Sequence, residues 1–247
     1  MKFVSHRGYS AKYHANTIPA FEASVAHPEC GRRLTGIETD IRATSDGKLA
    51  VFHDNSLKVG GVECLVESIT YNELRATVAA NAAGAVVPIL DELFDCVGHK
   101  LELLVEIKDA GYDKRRFFDA LEAAIRRYNP KGDVILHSFS AGIMEEAVRR
   151  FSHPAVRFGA LFGNAKELSG FSPALLSKMD FIHPHWQGLI DEEAKFRALG
   201  RPFNVWTVNN PADLAALKKL SCVSMITAVM TDDLALMEQC GASPQPK

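Results

Sequence analysis

Two histidines, two carboxylates and an arginine lie at the ends of short apolar segments near the start of the chain. They occupy residues 5–8 (Ser-His-Arg-Gly), 36–40 (Gly-Ile-Glu-Thr-Asp) and 51–54 (Val-Phe-His-Asp). Cleavage of a phosphodiester requires removal of a proton from the nucleophile, protonation of the departing alkoxide, and positive charge near the phosphoryl oxygens. Histidine suits both proton transfers because its unperturbed pKa is about 6.5. This set of residue types indicates metal-assisted phosphoryl chemistry.

The carboxylates are spaced so that they can share one ion. Glu38 and Asp40 are two residues apart on a predicted strand, so their side chains point to the same face. Glu106 closes a third apolar run, residues 101–107, where a buried charge without a partner would be costly. Carboxylates are the hard oxygen ligands that Mg²⁺ and Ca²⁺ prefer, and the fork of Arg7 can grip two phosphate oxygens. These three carboxylates therefore indicate a bound cation.

Each of these residues also has an interpretation without catalysis. A single histidine beside a strand is commonly structural, and Glu38 with Asp40 could form no more than a polar strand face. Trp206 suits core packing and substrate contact equally. His183 and His185 flank a proline and could suggest a transition-metal site, but a contact at the rim of the substrate pocket is the preferred interpretation of His185.

Short motifs follow one another in order along nearly the whole chain. They are His-Arg-Gly at 6–8, Asn-Thr at 16–17 with Ala-Phe at 20–21, Ile-Glu-Thr-Asp at 37–40, Thr-Ser-Asp-Gly at 44–47, His-Asp at 53–54, Glu-Ile-Lys at 106–108, Ser-Phe at 138–139 and Trp-Thr-Val-Asn at 206–209. One such motif is weak, but the ordered set is specific. The chain resembles the glycerophosphodiester phosphodiesterase family.

The resemblance implies a site made of an acid/base pair, a set of metal ligands and a phosphate clamp. These would be formed, respectively, by His6 and His53, by Glu38, Asp40 and Glu106, and by Arg7 with Lys108. The implied cofactor is one divalent cation, Mg²⁺ or Ca²⁺, with Mn²⁺ also compatible. The implied reaction is hydrolysis of glycerophosphodiesters to sn-glycerol 3-phosphate and an alcohol. Attack by water or by the substrate's own glycerol hydroxyl both fit, and either histidine could be the acid.

Two alternatives to this reaction are compatible with the same residues. One is a lysophospholipase-D-like hydrolysis of lysophospholipids, and the other is a non-catalytic barrel that binds a phosphorylated ligand. The chain departs from the family pattern at Ala15, where glutamate is usual, and at residues 57–62, which replace a threonine-rich stretch. Both departures affect the expected substrate rim more than the expected catalytic set.

Composition narrows the partners and the compartment. Net charge is −2 and the pI is about 6.5, which favours a small-molecule phosphodiester over nucleic acid or an anionic membrane surface. The longest weakly polar stretch, residues 76–90, is interrupted by Asn81 and Pro88, and no apolar leader precedes His6, so we expect no membrane anchor. Five cysteines without Cys-x-x-Cys spacing favour a reducing cytoplasm. The oligomeric state is not predicted.

Apolar β-type runs alternate with helical stretches, as in a parallel α/β fold. Strands are predicted at 3–5, 36–41, 49–52, 101–107, 134–137, 157–162, 181–183, 203–208 and 225–230, and helices at 20–26, 113–128, 142–151, 191–199 and 211–220. With 247 residues, the chain suits a TIM (β/α)8 barrel spanning residues 1–247 as a single domain, with a short insertion after the third strand.

This set has one strand more than such a barrel needs. The link at 42–48 is too short for a crossover helix, so the irregularity is expected there. The tail at 241–247 is expected to fray. Most candidate residues fall after predicted strands, at the face where barrel enzymes build their sites: His6, Asp40, His53, Glu106, Ser138, His185 and Trp206.

Overall fold

Eight parallel strands close into a barrel in the computed structural model, which describes residues 1–82, 85–152 and 154–239. The strands of the chain are β1 (Lys2–His6), β2 (Leu34–Ala43), β3 (Leu49–Val51), β4 (Ser56–Val59), β5 (Val62–Leu65), β6 (Glu102–Ile107), β7 (Val134–Ser138), β8 (Val156–Phe162), β9 (Phe181–Pro184), β10 (Phe203–Val205) and β11 (Ile226–Thr231). The ring runs β1, β2, β6, β7, β8, β9, β10, β11, and β11 pairs back to β1. The predicted single-domain TIM barrel is confirmed.

Helices connect the strands on the outside of the ring. They are α1 (Ile18–Val25), α2 (Tyr71–Asn81), α3 (Leu90–Val97), α4 (Lys114–Tyr128), α5 (Ala141–Arg150), α6 (Pro173–Leu176), α7 (Trp186–Asp191), α8 (Glu193–Arg197), α9 (Pro211–Leu217) and α10 (Leu236–Gln239). Among the described residues, no helix is long and apolar enough to cross a bilayer. The predicted fraying of residues 241–247 falls outside the described part.

The extra predicted strand lies outside the ring. β3 pairs antiparallel with β2, with Ile41 opposite Val51 and Ala43 opposite Leu49. Because residues 44–48 form only a tight connection, the chain turns back instead of crossing over to continue the parallel sheet. The expected irregularity at 42–48 is therefore confirmed as a hairpin.

The insertion after β3 is a small unit with its own apolar cluster. β4 and β5 form an antiparallel hairpin, with Val59 opposite Val62, and α2 follows. Helix α2 begins at Thr70, whose side chain accepts the Glu73 backbone N–H while Glu73 accepts the Thr70 N–H. The cluster beneath the unit comprises Ala50, Val66, Ile69, Leu74 and Val87.

Alternation along each ring strand separates the two sides of the barrel wall. On β6, Leu104 points into the barrel with Val4, Ile135, Ala228 and Met230, whereas its sequence neighbours join the main core under the helices. Glu106 follows Leu104 by two positions, so it shares the inward face one level nearer the carboxyl end. Charged side chains such as Glu106 therefore lie inside the barrel, directly above an apolar layer of the interior.

Of the predicted helices, one long span is confirmed and one is wrong. α4 matches its predicted span to within one residue, because Asp113 caps the Arg116 N–H and the helix carries an apolar stripe. The single helix predicted at 191–199 is wrong, since α7 and α8 are separated at Glu192. This residue leaves helical geometry at φ −134°, and its carboxylate accepts the Ala165 backbone N–H at 2.9 Å. A tertiary contact thus overrides the local helical pattern.

Candidate active site

The turn after β1 places His6 and Arg7 at the carboxyl end of the barrel. Arg7 has φ 59° and Gly8 has φ 80°, so consecutive left-handed residues turn the chain toward α1. A Cβ on Gly8 would lie 2.7 Å from the Ala20 carbonyl carbon, which leaves room only for glycine. The Arg7 N–H donates to the Glu38 carbonyl at 2.8 Å and ties the turn to β2.

Three buried carboxylates meet beside this turn. Glu38 and Asp40 extend from β2 and Glu106 from β6, where Asp40 and Glu106 are register partners. Their candidate ligand oxygens all lie within 4.8 Å of one another, so they could hold one metal ion. Carboxylates this close repel one another in a buried site unless cations compensate them.

Burial is the main influence on the protonation of this cluster. It raises the pKa of Glu38 well above its usual range, and the charges of Asp40 and Glu106 add to the effect. It also raises the pKa of Glu106 to about 7 against the opposing pull of Lys108. For Asp40, burial alone would raise the pKa, but Lys108 and Arg7 hold it well below its ordinary value.

Both residues predicted to clamp phosphate contact carboxylates. Lys108 Nζ lies 2.8 Å from Asp40 Oδ1 and 2.6 Å from Glu106 Oε1, and Arg7 Nε lies 3.2 Å from Asp40 Oδ2. Asn16 Nδ2 donates to the same Oδ2 at 2.8 Å. Asp40 therefore contacts both cationic side chains and the amide of Asn16. Within the described part of the chain, Glu38 Oε2 is buried without a hydrogen-bond partner, as is Asp40 Oδ1, whose charge is matched by the ion pair with Lys108.

His6 is held between two carboxylates. Its Nδ1 lies 2.6 Å from Asp232 Oδ1, and its Nε2 lies 3.7 Å from Glu38 Oε2. Asp232 is fixed by Ser10 Oγ at 2.9 Å and Asn209 Nδ2 at 2.6 Å. Burial raises the pKa of Asp232, but the hydrogen bond from His6 and its other partners outweigh burial and lower the pKa to about 2. An ionised Asp232 accepts the Nδ1 hydrogen, which leaves Nε2 to exchange a proton.

His53 reaches the site from the hairpin, not from a ring strand. β3 runs back toward the barrel, and the Phe52 N–H donates to the Asp40 carbonyl at 3.0 Å. Arg42, buried at 7% exposure, donates from Nε to the His53 carbonyl at 2.9 Å and from Nη1 to Asn55 Oδ1 at 3.1 Å. The loop that carries His53 is thus pinned to β2.

The imidazole of His53 also has a carboxylate neighbour. Its Nδ1 lies 2.9 Å from Asp54 Oδ1, so each candidate proton-transfer histidine contacts an aspartate through Nδ1. Burial lowers the pKa of His53, and the charge of Asp40 opposes that shift. The imidazole is consequently biased toward its neutral form.

A cavity of about 290 Å³ joins most of these groups. Its lining residues are His6, Arg7, Glu38, His53, Glu106, Lys108, His137, Phe139, Leu161, Trp206, Thr207 and Met230. One wall is charged and the other is apolar, with Phe139 standing perpendicular to Trp206 at 5.5 Å between ring centroids. The volume and the mixed lining suit a small phosphorylated molecule.

Two of the sequence candidates lie further from this cavity. The rings of His185 and Trp206 pack together, with 5.0 Å between their centroids. In the described part of the chain, His185 is not one of the residues that line the cavity. Ser138 is buried and donates to the Ile107 carbonyl at 2.7 Å, so it secures the barrel wall. His183 and His185 do not converge, because His183 is buried inside the barrel.

Sequence reasoning missed Asp232 and Arg42. Asp232 follows the last predicted strand, whose neighbour in the closed ring is β1, so its position at a strand end was a usable signal. Arg42 had no such signal, since its contacts depend on the antiparallel return of β3.

Comparison with known proteins identifies the family. The model of the glycerophosphoryl diester phosphodiesterase family matches residues 6–235. A glycerophosphodiester phosphodiesterase of Caldanaerobacter subterraneus is 28% identical over 238 residues, covering 93% of each chain. The solved glycerophosphodiester phosphodiesterase of Thermotoga maritima is 25% identical, with a TM-score of 0.73 and coverage of 96% of this chain and 97% of that one.

A more distant structure shares the fold. A phosphodiesterase of Oleispira antarctica, solved in complex with the product sn-glycerol-3-phosphate, has a TM-score of 0.77 at 17% identity, covering 98% of this chain and 97% of that one. The barrel and the family match together define a phosphoric diester hydrolase. The chain belongs to the glycerophosphoryl diester phosphodiesterase family. It is therefore an enzyme, and the alternative of a non-catalytic barrel is wrong.

Proposed function

We propose that this enzyme hydrolyses glycerophosphodiesters to sn-glycerol 3-phosphate and an alcohol, using a divalent cation and two histidines. The observation that carries the proposal is the convergence of His6, His53, Glu38 and Glu106 on one cavity of about 290 Å³. Asp40 lies directly behind, within 4.8 Å of both carboxylates. The product seen with the Oleispira phosphodiesterase supports the same reaction. Removal of a proton, delivery of a proton and charge compensation each have a candidate group in that cavity.

Glu38, Asp40 and Glu106 would hold the cation. The donors are all hard oxygens, which suit Mg²⁺ or Ca²⁺ and also Mn²⁺. The buried, unpartnered Oε2 of Glu38 supports the fit, because it needs a positive partner that the described residues do not supply within hydrogen-bond geometry. A divalent cation there supplies Lewis-acid stabilisation of charge on the phosphoryl oxygens.

His6 and His53 would exchange protons with the substrate. One takes the proton of the attacking hydroxyl, from water or from the glycerol moiety, and the other protonates the departing alcohol oxygen. Attack by the glycerol hydroxyl would give a cyclic phosphate, which water would then open to sn-glycerol 3-phosphate. The Nδ1 contacts with Asp232 and Asp54 orient both rings. Arg7 and Lys108 would bring positive charge to the phosphate.

A leaving-group series assigns the two roles. We expect His6→Ala and His53→Ala each to lower kcat by on the order of 10² to 10⁴. A substrate whose leaving group departs without protonation should restore the rate of the variant that lacks the acid and not of the one that lacks the base. Equal restoration in both variants would contradict the division of roles.

Product analysis tests the reaction as a whole. Glycerophosphocholine, glycerophosphoethanolamine and lysophosphatidylcholine would each be incubated with the enzyme and Mg²⁺, Ca²⁺ or Mn²⁺, with and without excess chelator. We expect sn-glycerol 3-phosphate from the first two and loss of turnover on chelation. Preferred release of lysophosphatidic acid from the lysolipid would favour the lysophospholipase-D-like alternative. Full activity in excess chelator would refute the metal requirement.

The cellular location and the class of substrate are two further predictions. We propose a cytoplasmic location, and a small-molecule phosphodiester instead of a nucleic acid as the substrate. Composition supports both, since the net charge is −2 and the cysteines lack paired spacing. Cell fractionation with an antibody to the protein measures the first, and a nucleic-acid phosphodiester in the substrate panel measures the second.

A further inference from the structure

Two buried histidines lie inside the barrel and take no part in the proposed chemistry. His137 is on β7 and His183 is on β9, and both are completely buried. Their Nδ1 atoms are 2.9 Å apart. Since β8 lies between β7 and β9 in the ring, this contact spans the width of a whole strand.

A glycine on the intervening strand makes the contact possible. Gly159 on β8 is the register partner of His137. A Cβ at position 159 would lie 2.8 Å from Nε2 and Cε1 of His183 and 3.2 Å from the Cβ of His137. The His183 ring and the Cβ of His137 therefore occupy the space that a side chain on β8 would fill, and the three residues form one packing unit.

The hydrogen bonds of this unit continue beyond His183 to Asn204 and Thr227. Thr227 Oγ1 lies 2.6 Å from Asn204 Oδ1 and 2.8 Å from the Phe203 carbonyl oxygen, and Asn204 Nδ2 lies 3.4 Å from His183 Nε2. In this orientation of the amide, Asn204 Nδ2 donates to His183 Nε2, and the hydrogen of His183 is on Nδ1 and faces Nδ1 of His137. The hydrogen of a neutral His137 is then on Nε2.

The outer end of this series of hydrogen bonds is His137 Nε2, which faces Glu38. His137 Nε2 lies 3.9 Å from Glu38 Oε1 and, within the described residues, has no hydrogen-bond partner. His137 lines the active-site cavity, and the other oxygen of Glu38, Oε2, lies 3.7 Å from His6 Nε2 without a hydrogen bond. Nε2 of His137 thus faces Oε1 of a buried carboxylate across a short gap.

We propose that His137 is a positioning residue for Glu38, and that His183 and Asn204 fix the tautomer in which it acts. The inference rests on the proposed role of Glu38 as a metal ligand. An outer donor restricts the orientation of a ligating carboxylate, and removal of such a partner typically costs about 10- to 100-fold in metal affinity.

Calorimetric titration with Mn²⁺ tests the proposal on the full chain. The proteins are the wild type, Glu38→Gln, His137→Phe and His137→Gln, and thermal unfolding of each checks that it folds. We expect about tenfold weaker binding or worse for His137→Phe. His137→Gln should bind nearly as the wild type, because its amide can place an N–H near the position of Nε2. Equal losses in both His137 variants would overturn the proposal.

A second pair of variants tests the contact of His183 with His137. His183→Asn keeps a donor near the position of Nδ1, and His183→Leu removes it. We expect weaker Mn²⁺ binding only for His183→Leu, and no further loss when it is combined with His137→Phe, since His183 acts through His137. If His137→Phe does not fold, equal affinities of the two His183 variants would overturn the proposal.

The controls separate this inference from the proposed function. If the wild type binds Mn²⁺, Glu38→Gln does not, and His137→Phe binds as the wild type does, the positioning role is refuted and the metal site stands. If the wild type itself does not bind Mn²⁺, the proposed metal site fails with it. His14→Phe serves as the matched control, because His14 is exposed and should leave binding unchanged.

Discussion

His6 depends on a carboxylate from the other end of the chain. Asp232 accepts from Nδ1 at 2.6 Å and is itself held by Ser10 and Asn209. This is the arrangement in which an aspartate sets the tautomer of a histidine that transfers protons. The residue that performs the proposed chemistry and the residue that orients it are therefore distinct targets for mutation.

Replacement of Asp232 by asparagine should impair turnover more than binding. An amide can donate to Nδ1, which favours the wrong tautomer, so we expect kcat to fall by on the order of 10² or more with KM changed severalfold at most. Steady-state kinetics on glycerophosphocholine measure both. Asp233→Asn is the matched control, because Asp233 bonds to Tyr9 and Ala235 instead of His6. Equal losses in the two variants would show that the effect is not specific to His6.

The same carboxyl should contribute to stability in acid. The pKa of Asp232 is about 2 in the folded protein, against about 3.9 in an unfolded chain. The stabilisation is thus complete above about pH 4 and disappears as the pH falls through about 2. We expect the free energy of unfolding to fall less over this interval in Asp232→Asn than in the wild type. Urea titrations between pH 4 and pH 2 measure the difference, and parallel curves would contradict it.

At the scale of elements, the β2–β3 hairpin brings His53 to the carboxylates. Short apolar runs were enough to predict β3, but period-two patterns carry no information on strand direction. The short link at 42–48 predicted an irregularity there, and the structure shows that it is an antiparallel return. The contacts of Arg42 with the His53 loop arise from that return, which explains why the sequence did not reveal them.

Loss of the Arg42 contacts should slow catalysis. Arg42→Met keeps an apolar stem and removes both hydrogen bonds to the loop, so we expect kcat to fall about ten- to a hundredfold through misplacement of His53. Arg116→Met is the control for the hairpin itself, since Arg116 binds the Ser45 and Asp46 carbonyls at the hairpin turn. If Arg116→Met lowers kcat as much, hairpin stability accounts for the effect and the specific role of Arg42 fails.

At the scale of the whole molecule, the order of motifs and the alternation of strands and helices predicted the barrel. Strand ends gave the three carboxylates and both histidines as candidates. Parallel strands bring the carboxylates and His6 to one face, whereas His53 arrives there through the antiparallel β3. The split at Glu192 was not predictable, since it depends on the Ala165 N–H. Nor was the unit formed by His137, His183 and Gly159, which requires knowing which strands are neighbours.

Metal binding should stabilise the whole barrel. A ligand that binds only the folded state adds about 2.7 kcal/mol at a concentration of 100 times its Kd. For a chain of 247 residues this corresponds to a rise in Tm of roughly 5 to 10 °C. Scanning calorimetry with and without Mn²⁺ measures it, and Glu106→Gln should show a much smaller rise. An unchanged Tm in the wild type at saturating Mn²⁺ would argue against a site in the folded barrel.

The bond between His6 and Asp232 spans 226 positions of the chain and has a consequence for the timing of synthesis. A ribosome adds about 5 to 20 residues per second, so Asp232 is made roughly 10 to 45 seconds after His6. During that interval β11 is absent, the ring is open beside β1, and His6 has no aspartate to orient it. On the proposed roles, a nascent chain carries the three carboxylates and both histidines before it can act as a hydrolase, and we expect activity only once the last strand has left the ribosome.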